Sequence, residues 1–368
     1  MIKVHTEAAL AQSWLERYRG KQPLLAIILG FTDTCLIPGI SAAGASPEHR
    51  RYTAIADAEF LLNGPEVPPR YALPPLTAGA SPVFISRTVI EALKLPVYLF
   101  DAGLPVKPAV PALDLGGAPA RCLSTGQSLP LVTVQHLWQQ GWQWGETLAA
   151  RAQGSYLAIG ECVVGGTTTA LGLLTGLGIP AQGKVNSSHA HCNHSQKALL
   201  VQSGLQKAGI NPASPPSDPM EVVAAVGDPM QVVAAAMALS ASQYGGVLLA
   251  GGTQMLAVVA LMLALQDFLE IPGNRAQIVV GTTRWVAGDR TGDTVGLARL
   301  VGKIPLMAAQ LNFSKSRYPQ LQAYEQGFVK EGVGAGGCAI AAHLKAGWSN
   351  EDLVKGIEAL AARFARLS

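Results

Sequence analysis

Two stretches of the 368-residue chain combine an acidic side chain with clustered glycines. The first is Gly160-Glu161-Cys162-Val163-Val164-Gly165-Gly166-Thr167-Thr168-Thr169, which follows an apolar run and opens a helical pattern. Glycines let a ligand approach the backbone, threonine hydroxyls add donors, and a helix N-terminus favours negative charge. The stretch reads as a phosphate site, or else as a tight strand-to-helix turn capped by threonine. It has neither the dinucleotide G-x-G-x-x-G spacing nor the lysine of a P-loop. The second stretch is Lys330-Glu331-Gly332-Val333-Gly334-Ala335-Gly336-Gly337, ahead of the apolar Cys338–Leu344. A carboxylate among small apolar neighbours can have its pKa raised, which suits a general base. In an ordinary surface turn it would only be solvated.

Four further stretches invite chemistry and are weaker. Gly251-Gly252-Thr253-Gln254 follows an apolar run and could hold a phosphate or a ribose hydroxyl, or could serve close helix–strand packing. Gly178–Lys184 fits the first seven P-loop positions, but Val185 stands where Ser or Thr must hold magnesium, and a helix pattern precedes it. His189-Ala190-His191-Cys192-Asn193-His194 crowds three histidines and a cysteine together, without the spacing of a helical His pair or a zinc finger. A polar loop beside an anion site suits it better than a metal centre. Trp138, Trp142 and Trp144 could stack on a flat heterocycle, or fill core or a subunit interface.

The elements that must position these residues are legible as a pattern. Leu24–Leu29, Val97–Phe100, Tyr156–Ile159, Val247–Ala250 and Ile278–Val280 are short apolar runs without alternation, as strands buried on both faces are. Thr167–Leu177, Met220–Ser240 and Gln254–Phe268 lie between or after them and read as helices, and Asn350–Leu367 has helical periodicity with mixed charge. Strands alternating with helices predict an α/β fold with a parallel sheet, whose ligands sit beyond the carboxyl ends of the strands. The proline-rich Leu104–Pro119 and Asn211–Pro219 read as connectors.

Composition excludes several classes of function. With 49% apolar and only 14% charged residues, the chain can bury a sizeable core and is not a disordered segment. A net charge of +3 without a basic stripe gives no footprint for nucleic acid. Met255–Leu265, the longest apolar run, is too short for a bilayer, which takes about 20 residues. Five cysteines, with no C-x-x-C among them, predict free thiols and a cytoplasmic protein.

At Gly160–Thr169 and Glu331–Gly337 the sequence resembles the nicotinate-nucleotide:dimethylbenzimidazole phosphoribosyltransferase family. Its bacterial members carry a G-E-M-G-I-G-N-T-T stretch and a later G-E-G-[ST]-G-A stretch. Here these read GECVVGGTT and KEGVGAG. The likeness covers most of Tyr156–Leu344, and is closest to the archaeal and cyanobacterial branch through Ile37–Ala45 and Asp57-Ala58-Glu59. Gly166 stands where the bacterial motif has Asn, and Val163-Val164 replace glycine-containing positions, so phosphate contact would rest more on backbone.

The resemblance implies a Rossmann-like, mostly parallel sheet flanked by helices in residues 24–320. A smaller, mainly helical domain would be built from 1–23 and 321–368 and carry the Glu331 loop. It implies a cytoplasmic homodimer that moves the phosphoribosyl group of nicotinate mononucleotide onto an aromatic base such as dimethylbenzimidazole or adenine, releasing nicotinate and forming an α-ribotide for the cobamide lower ligand. No cofactor and no metal is implied, and neither a membrane nor nucleic acid is a partner. Carried over residue by residue, Glu331 is the catalytic carboxylate and Glu161 the second motif acid, which orients substrate. Gly165, Gly166, Thr167 and Thr168 form the phosphate loop, and Lys197 neutralises the phosphate or ribose region. Gly251, Gly252 and Thr253 are further candidates for phosphate or ribose. Thr77–Ser86, with Ser81 and Ser86, is the candidate base pocket. The alternative from another class is a nucleotide-binding sensor or scaffold without catalysis, in which the acids at 161 and 331 would have no task.

Overall fold

The computed structural model describes residues 1–73 and 79–367. Its strands are β1 (Ile2–Val4), β2 (Leu24–Leu29), β3 (Val97–Asp101), β4 (Leu113–Asp114), β5 (Tyr156–Cys162), β6 (Gly246–Ala250), β7 (Ile278–Thr283) and β8 (Leu306–Ala309). They form one sheet in the order β1-β8-β7-β6-β5-β2-β3-β4, parallel throughout except for β1, which pairs antiparallel with β8. This is the α/β fold expected from the sequence. Apart from β1, chain order runs outward in both directions from the β2–β5 pair, so the sheet has its switch point there, where open α/β sheets bind ligands.

The missing alternation in the apolar runs has a direct cause. Leu24, Ala26 and Ile28 of β2 point into a core on one face, while Leu25, Ile27 and Leu29 point into a core on the other. Both cores are apolar, so successive residues are apolar too. The first core is covered by helices that include Leu131–Ala152, Gly166–Gly176, Pro219–Val226, Pro229–Ser242 and Thr253–Leu269. The second is covered by Ala8–Tyr18, Arg50–Asn63, Val83–Leu93, Ala335–Ala346 and Asn350–Leu367. Helices from both chain ends thus share one face. The division into a 24–320 body and a terminal unit remains our proposal, in which β1 is an exception because it extends the main sheet.

Three sequence expectations change. Met220–Ser240 is two helices, because Gly227-Asp228 breaks the chain and Asp228 caps the second helix in a box with Gln231, with Pro229 at its first position. Leu104–Pro119 is a connector that carries the edge strand β4. The strands β1 and β8 have no sequence signal: the first has three residues, and Leu306-Met307-Ala308-Ala309 is made of residues that also suit helices.

Pro229–Ser242 is buried around its whole circumference. The Leu131–Ala152 helix crosses it at Gly141 and Gly145, so closely that a Cβ on Gly145 would lie 2.5 Å from the Met237 carbonyl oxygen and 2.0 Å from Ser240 Oγ. A Gly145→Val chain must push the two helices apart. It is expected to lose about 1–3 kcal/mol in a urea titration, the usual range for overpacking a core. Unchanged stability would show that the crossing is not tightly packed.

Candidate active site

Beyond the carboxyl ends of β5, β6 and β7, beside the switch point, lies a cavity of about 440 Å³, within the range that takes a small ligand. Its wall includes the Ser41–Ala45 loop, Thr53 and Asp57, Ser81 and Pro82, Glu161–Thr167, Asn186–Ser188, Gly252–Gln254 and Val329–Val333. Both acid-plus-glycine stretches, 170 residues apart in sequence, therefore meet in one place. The Val333 N–H donates to the Glu161 carbonyl at 3.0 Å and joins them directly.

Glu331 sits at the foot of the cavity with both oxygens held. Oε2 accepts from Thr282 Oγ1 at 2.8 Å and from the Thr283 N–H at 2.9 Å. Oε1 accepts from the N–H groups of Gly336 at 2.9 Å and Gly332 at 3.3 Å. Burial raises its pKa, and these donors pull it back by favouring the carboxylate. The loop that presents it is strained: Val329, Lys330 and Val333 have φ of 65°, 68° and 52°, in a region β-branched residues avoid. Lys330 is locked by a buried ion pair to Asp289 at 2.6 Å, and Nζ also donates to the His189 carbonyl at 2.9 Å. The Asp289 carboxyl, although burial raises its pKa, ends below its ordinary value through donors from Lys330, Asn186 and Thr291.

Glu161 is held differently. Its oxygens accept from the Val163 N–H at 2.9 Å and from Gln254 Nε2 at 3.0 Å. Burial, with Asp228 and Glu331 nearby, pushes its pKa up to about 8, so it keeps its proton at neutral pH. Burial also pushes Asp57 and Asp228 up to about 6. Asp228 is bound by the Thr169 hydroxyl and Asp57 by Ser81 Oγ at 2.6 Å.

The helix Gly166–Gly176 opens onto the cavity through Gly165, Gly166 and Thr167. Gly165 has φ 84°, and a Cβ on Gly166 would collide with Gln254 Oε1 at 1.8 Å, so backbone rather than side chain faces this part of the space. Opposite, the Ser41–Ala45 loop is fixed by Arg50, whose guanidinium donates to the carbonyls of Cys35, Ile37, Ser41 and Ala43. Ser188 ties the same loop to the Glu331 hairpin: its Oγ accepts from the Ala42 N–H at 2.9 Å, and its carbonyl accepts from the Val329 N–H at 3.1 Å.

Several expectations need correction. Thr168 turns away from the cavity wall into the interior, because the third residue of a helix cannot face the same way as the first two. Lys197 is fully buried behind the wall, bonded to the Asn186 carbonyl, and desolvation lowers its pKa to about 7. Lys330 is the lysine that reaches the lining. Gly251 is taken up by the sheet through its N–H to the Gly281 carbonyl, while Gly252 and Thr253 do line the cavity. Ser86 is buried and donates to the Val333 carbonyl at 2.7 Å, so it braces the Glu331 loop, whereas Ser81 lies on the wall. Thr77, at the start of the expected base pocket, lies outside the described residues.

The remaining stretches are structural. His189 and His194 bond the carbonyls of Gly39 and Thr291 and strut the loops around the cavity. Among the described residues no group of three or more His, Cys, Asp or Glu is placed to hold a metal ion. Lys184 pairs with Asp293 at 2.6 Å. The three tryptophans lie on the Leu131–Ala152 helix, packed in or against the first core. Among the described residues no helix is long and apolar enough to cross a membrane.

No protein-family model matches the chain. It is 63% identical over 368 residues to a UPF0284 protein of a Cyanothece species, covering 100% of this chain and 99% of that one. It is 62% identical over 360 residues to a UPF0284 protein of Microcystis aeruginosa, covering 98% of each. The chain belongs to the UPF0284 family. Among solved structures it is similar to the nicotinate-nucleotide-dimethylbenzimidazole phosphoribosyltransferase of Thermus thermophilus, with TM-score 0.58 and 18% identity over 98% of this chain and 92% of that one. A second structure, of CobT from the same organism, gives TM-score 0.60 and 18% identity, covering 96% and 89%. The fold of that enzyme is therefore the fold of this UPF0284 protein.

The protonation of Glu161 has a sign that can be measured. A carboxyl that holds its proton more tightly folded than unfolded makes the fold less stable as pH rises from its ordinary value, 4.5, towards about 8. Asp57 and Asp228 act in the same direction from 3.8 to about 6. Thermal midpoints of Glu161→Gln between pH 5 and 7 are expected to fall less steeply with pH than those of the unsubstituted chain. Equal slopes would mean that Glu161 is ionised in the fold.

Proposed function

We propose that this protein transfers the phosphoribosyl group of nicotinate mononucleotide to a ring nitrogen of an aromatic base, as a cytoplasmic homodimer in cobamide assembly. The observation that carries the reading is the meeting of Glu331 and the Gly165–Thr167 helix start in one cavity. The phosphate rests on that helix start, where backbone N–H groups and the helix field favour an anion. Gly252 and Thr253, at the start of the Thr253–Leu269 helix, complete the polar side. Lys330, on the Glu331 loop, also lines the cavity, with its charge paired to Asp289.

In the reaction the bond between the anomeric carbon and the nicotinate nitrogen breaks, and its electron pair stays with nicotinate. The incoming ring nitrogen forms the new bond on the opposite face. The acceptor N–H proton passes to a Glu331 oxygen, a step for which Thr282 is well placed because its hydroxyl can rotate away from the carboxylate. As positive charge develops on the sugar, the Glu331 carboxylate also opposes it electrostatically. Glu161, neutral at pH 7, adds no second negative charge and serves to orient substrate through the contacts it shares with Gln254.

The test mixes the protein with nicotinate mononucleotide and single candidate bases and follows free nicotinate. Glu331→Gln is expected to lower turnover by about 10²–10⁴-fold, the usual worth of a general base. A variant as fast as the unsubstituted enzyme would remove Glu331 from the chemistry. Binding of nicotinate mononucleotide with no nicotinate released by any base would favour a non-catalytic role.

A further inference from the structure

Thr53 and Asp57 lie one helical turn apart on Arg50–Asn63 and share a face of it. Both line the cavity, and they are only 8% and 4% exposed. Thr53 Oγ1 is buried without a hydrogen-bond partner among the described residues. Native folds seldom leave such a group unpaired unless it has a further task. Among the described residues Asp57 accepts from Ser81 at 2.6 Å and from the Cys162 thiol at 3.5 Å, which leaves acceptor capacity on both oxygens.

The place of this pair decides what it would meet. Ser81 leads into Pro82, and Pro82 Cγ stands 3.4 Å from where a Cβ on Gly332 would be. The wall carrying Asp57 therefore abuts the Glu331 hairpin. The acceptor base must touch Glu331 to give up its proton, so this wall is the acceptor's. The cavity lining also includes the apolar Pro82, Val163, Val329 and Val333. A few polar groups in an apolar wall fix a ligand's orientation.

We propose that Thr53 and Asp57 form a selective polar subsite for the acceptor, which carries an amino or hydroxyl donor on the ring edge remote from the attacking nitrogen. An acceptor with only alkyl groups on that edge leaves the Thr53 hydroxyl unpaired and the spare acceptor capacity of Asp57 facing an apolar group, and sites built this way reject such analogues strongly. This rests on the phosphoribosyl transfer proposed above.

The experiment compares 5-aminobenzimidazole with 5-methylbenzimidazole, which match in size and differ in the donor. Calorimetric binding of each base to the full chain is measured together with nicotinate release. The unsubstituted protein is expected to favour the amino compound by at least about tenfold, the worth of one good hydrogen bond. Thr53→Val, which keeps the shape, and Asp57→Asn are each expected to bring that ratio close to one. Equal affinities, no binding of either base, or a preference that survives both variants would overturn the subsite. So would variants that raise KM for nicotinate mononucleotide and leave the amino-to-methyl ratio intact, since the pair would then serve the ribose. Selective binding without nicotinate release would instead count against the transfer reaction and leave the subsite standing.

Discussion

The site depends on one backbone hydrogen bond, from the Val333 N–H to the Glu161 carbonyl. It adds the Glu331 hairpin to the end of β5 and so brings together two stretches that the sequence keeps far apart. The approach needs bare backbone: a Cβ on Gly160 would lie 3.0 Å from Gly334 Cα, and one on Gly336 only 2.2 Å from the Thr282 carbonyl carbon. Each positive-φ residue in the hairpin costs on the order of 1–3 kcal/mol. The opposing contacts are the Lys330–Asp289 pair, the Thr283 hydroxyl on the Lys330 carbonyl and the bonds that converge on Glu331. Strain at this loop and pre-positioning of its carboxylate have the same source.

Around this junction the acids are sorted by environment. Burial raises the pKa of all four acids, but Glu331 is surrounded by more donors that favour its charge than Glu161, Asp228 or Asp57. Four carboxyl groups in a small volume could not all be charged without large repulsion. Glu161, pushed up to about 8, stays protonated at neutral pH, which removes one of these charges and leaves the Glu331 carboxylate less opposed beside the sugar. The buried Arg50, which spends its donors on four carbonyls, braces the facing loop and takes no part in this sorting.

The sheet was legible because each central strand is buried on both faces and therefore reads as an unbroken apolar run. The two glycine–acid stretches were legible because close backbone approach leaves only glycine. In the second stretch, Gly334, Gly336 and Gly337 let the Ala335–Ala346 helix pack against the ends of β5, β6 and β7. Asp57 and Lys330 could be read only as members of quoted stretches. Whether a side chain faces a cavity or a core depends on helix phase and on partners such as Asp289, which no local pattern encodes. Lys197 shows the converse, since a lysine at the expected position is pulled behind the wall by the Asn186 carbonyl.

The most direct test is a crystal structure with nicotinate mononucleotide and an acceptor base bound to the Glu331→Gln chain. The account predicts the phosphate at the start of the Gly166–Gly176 helix and the acceptor nitrogen within about 2.6–3.2 Å of the residue-331 side chain, the reach a proton transfer needs. A nucleotide bound with its phosphate elsewhere, or with its anomeric carbon turned away from residue 331, would contradict it.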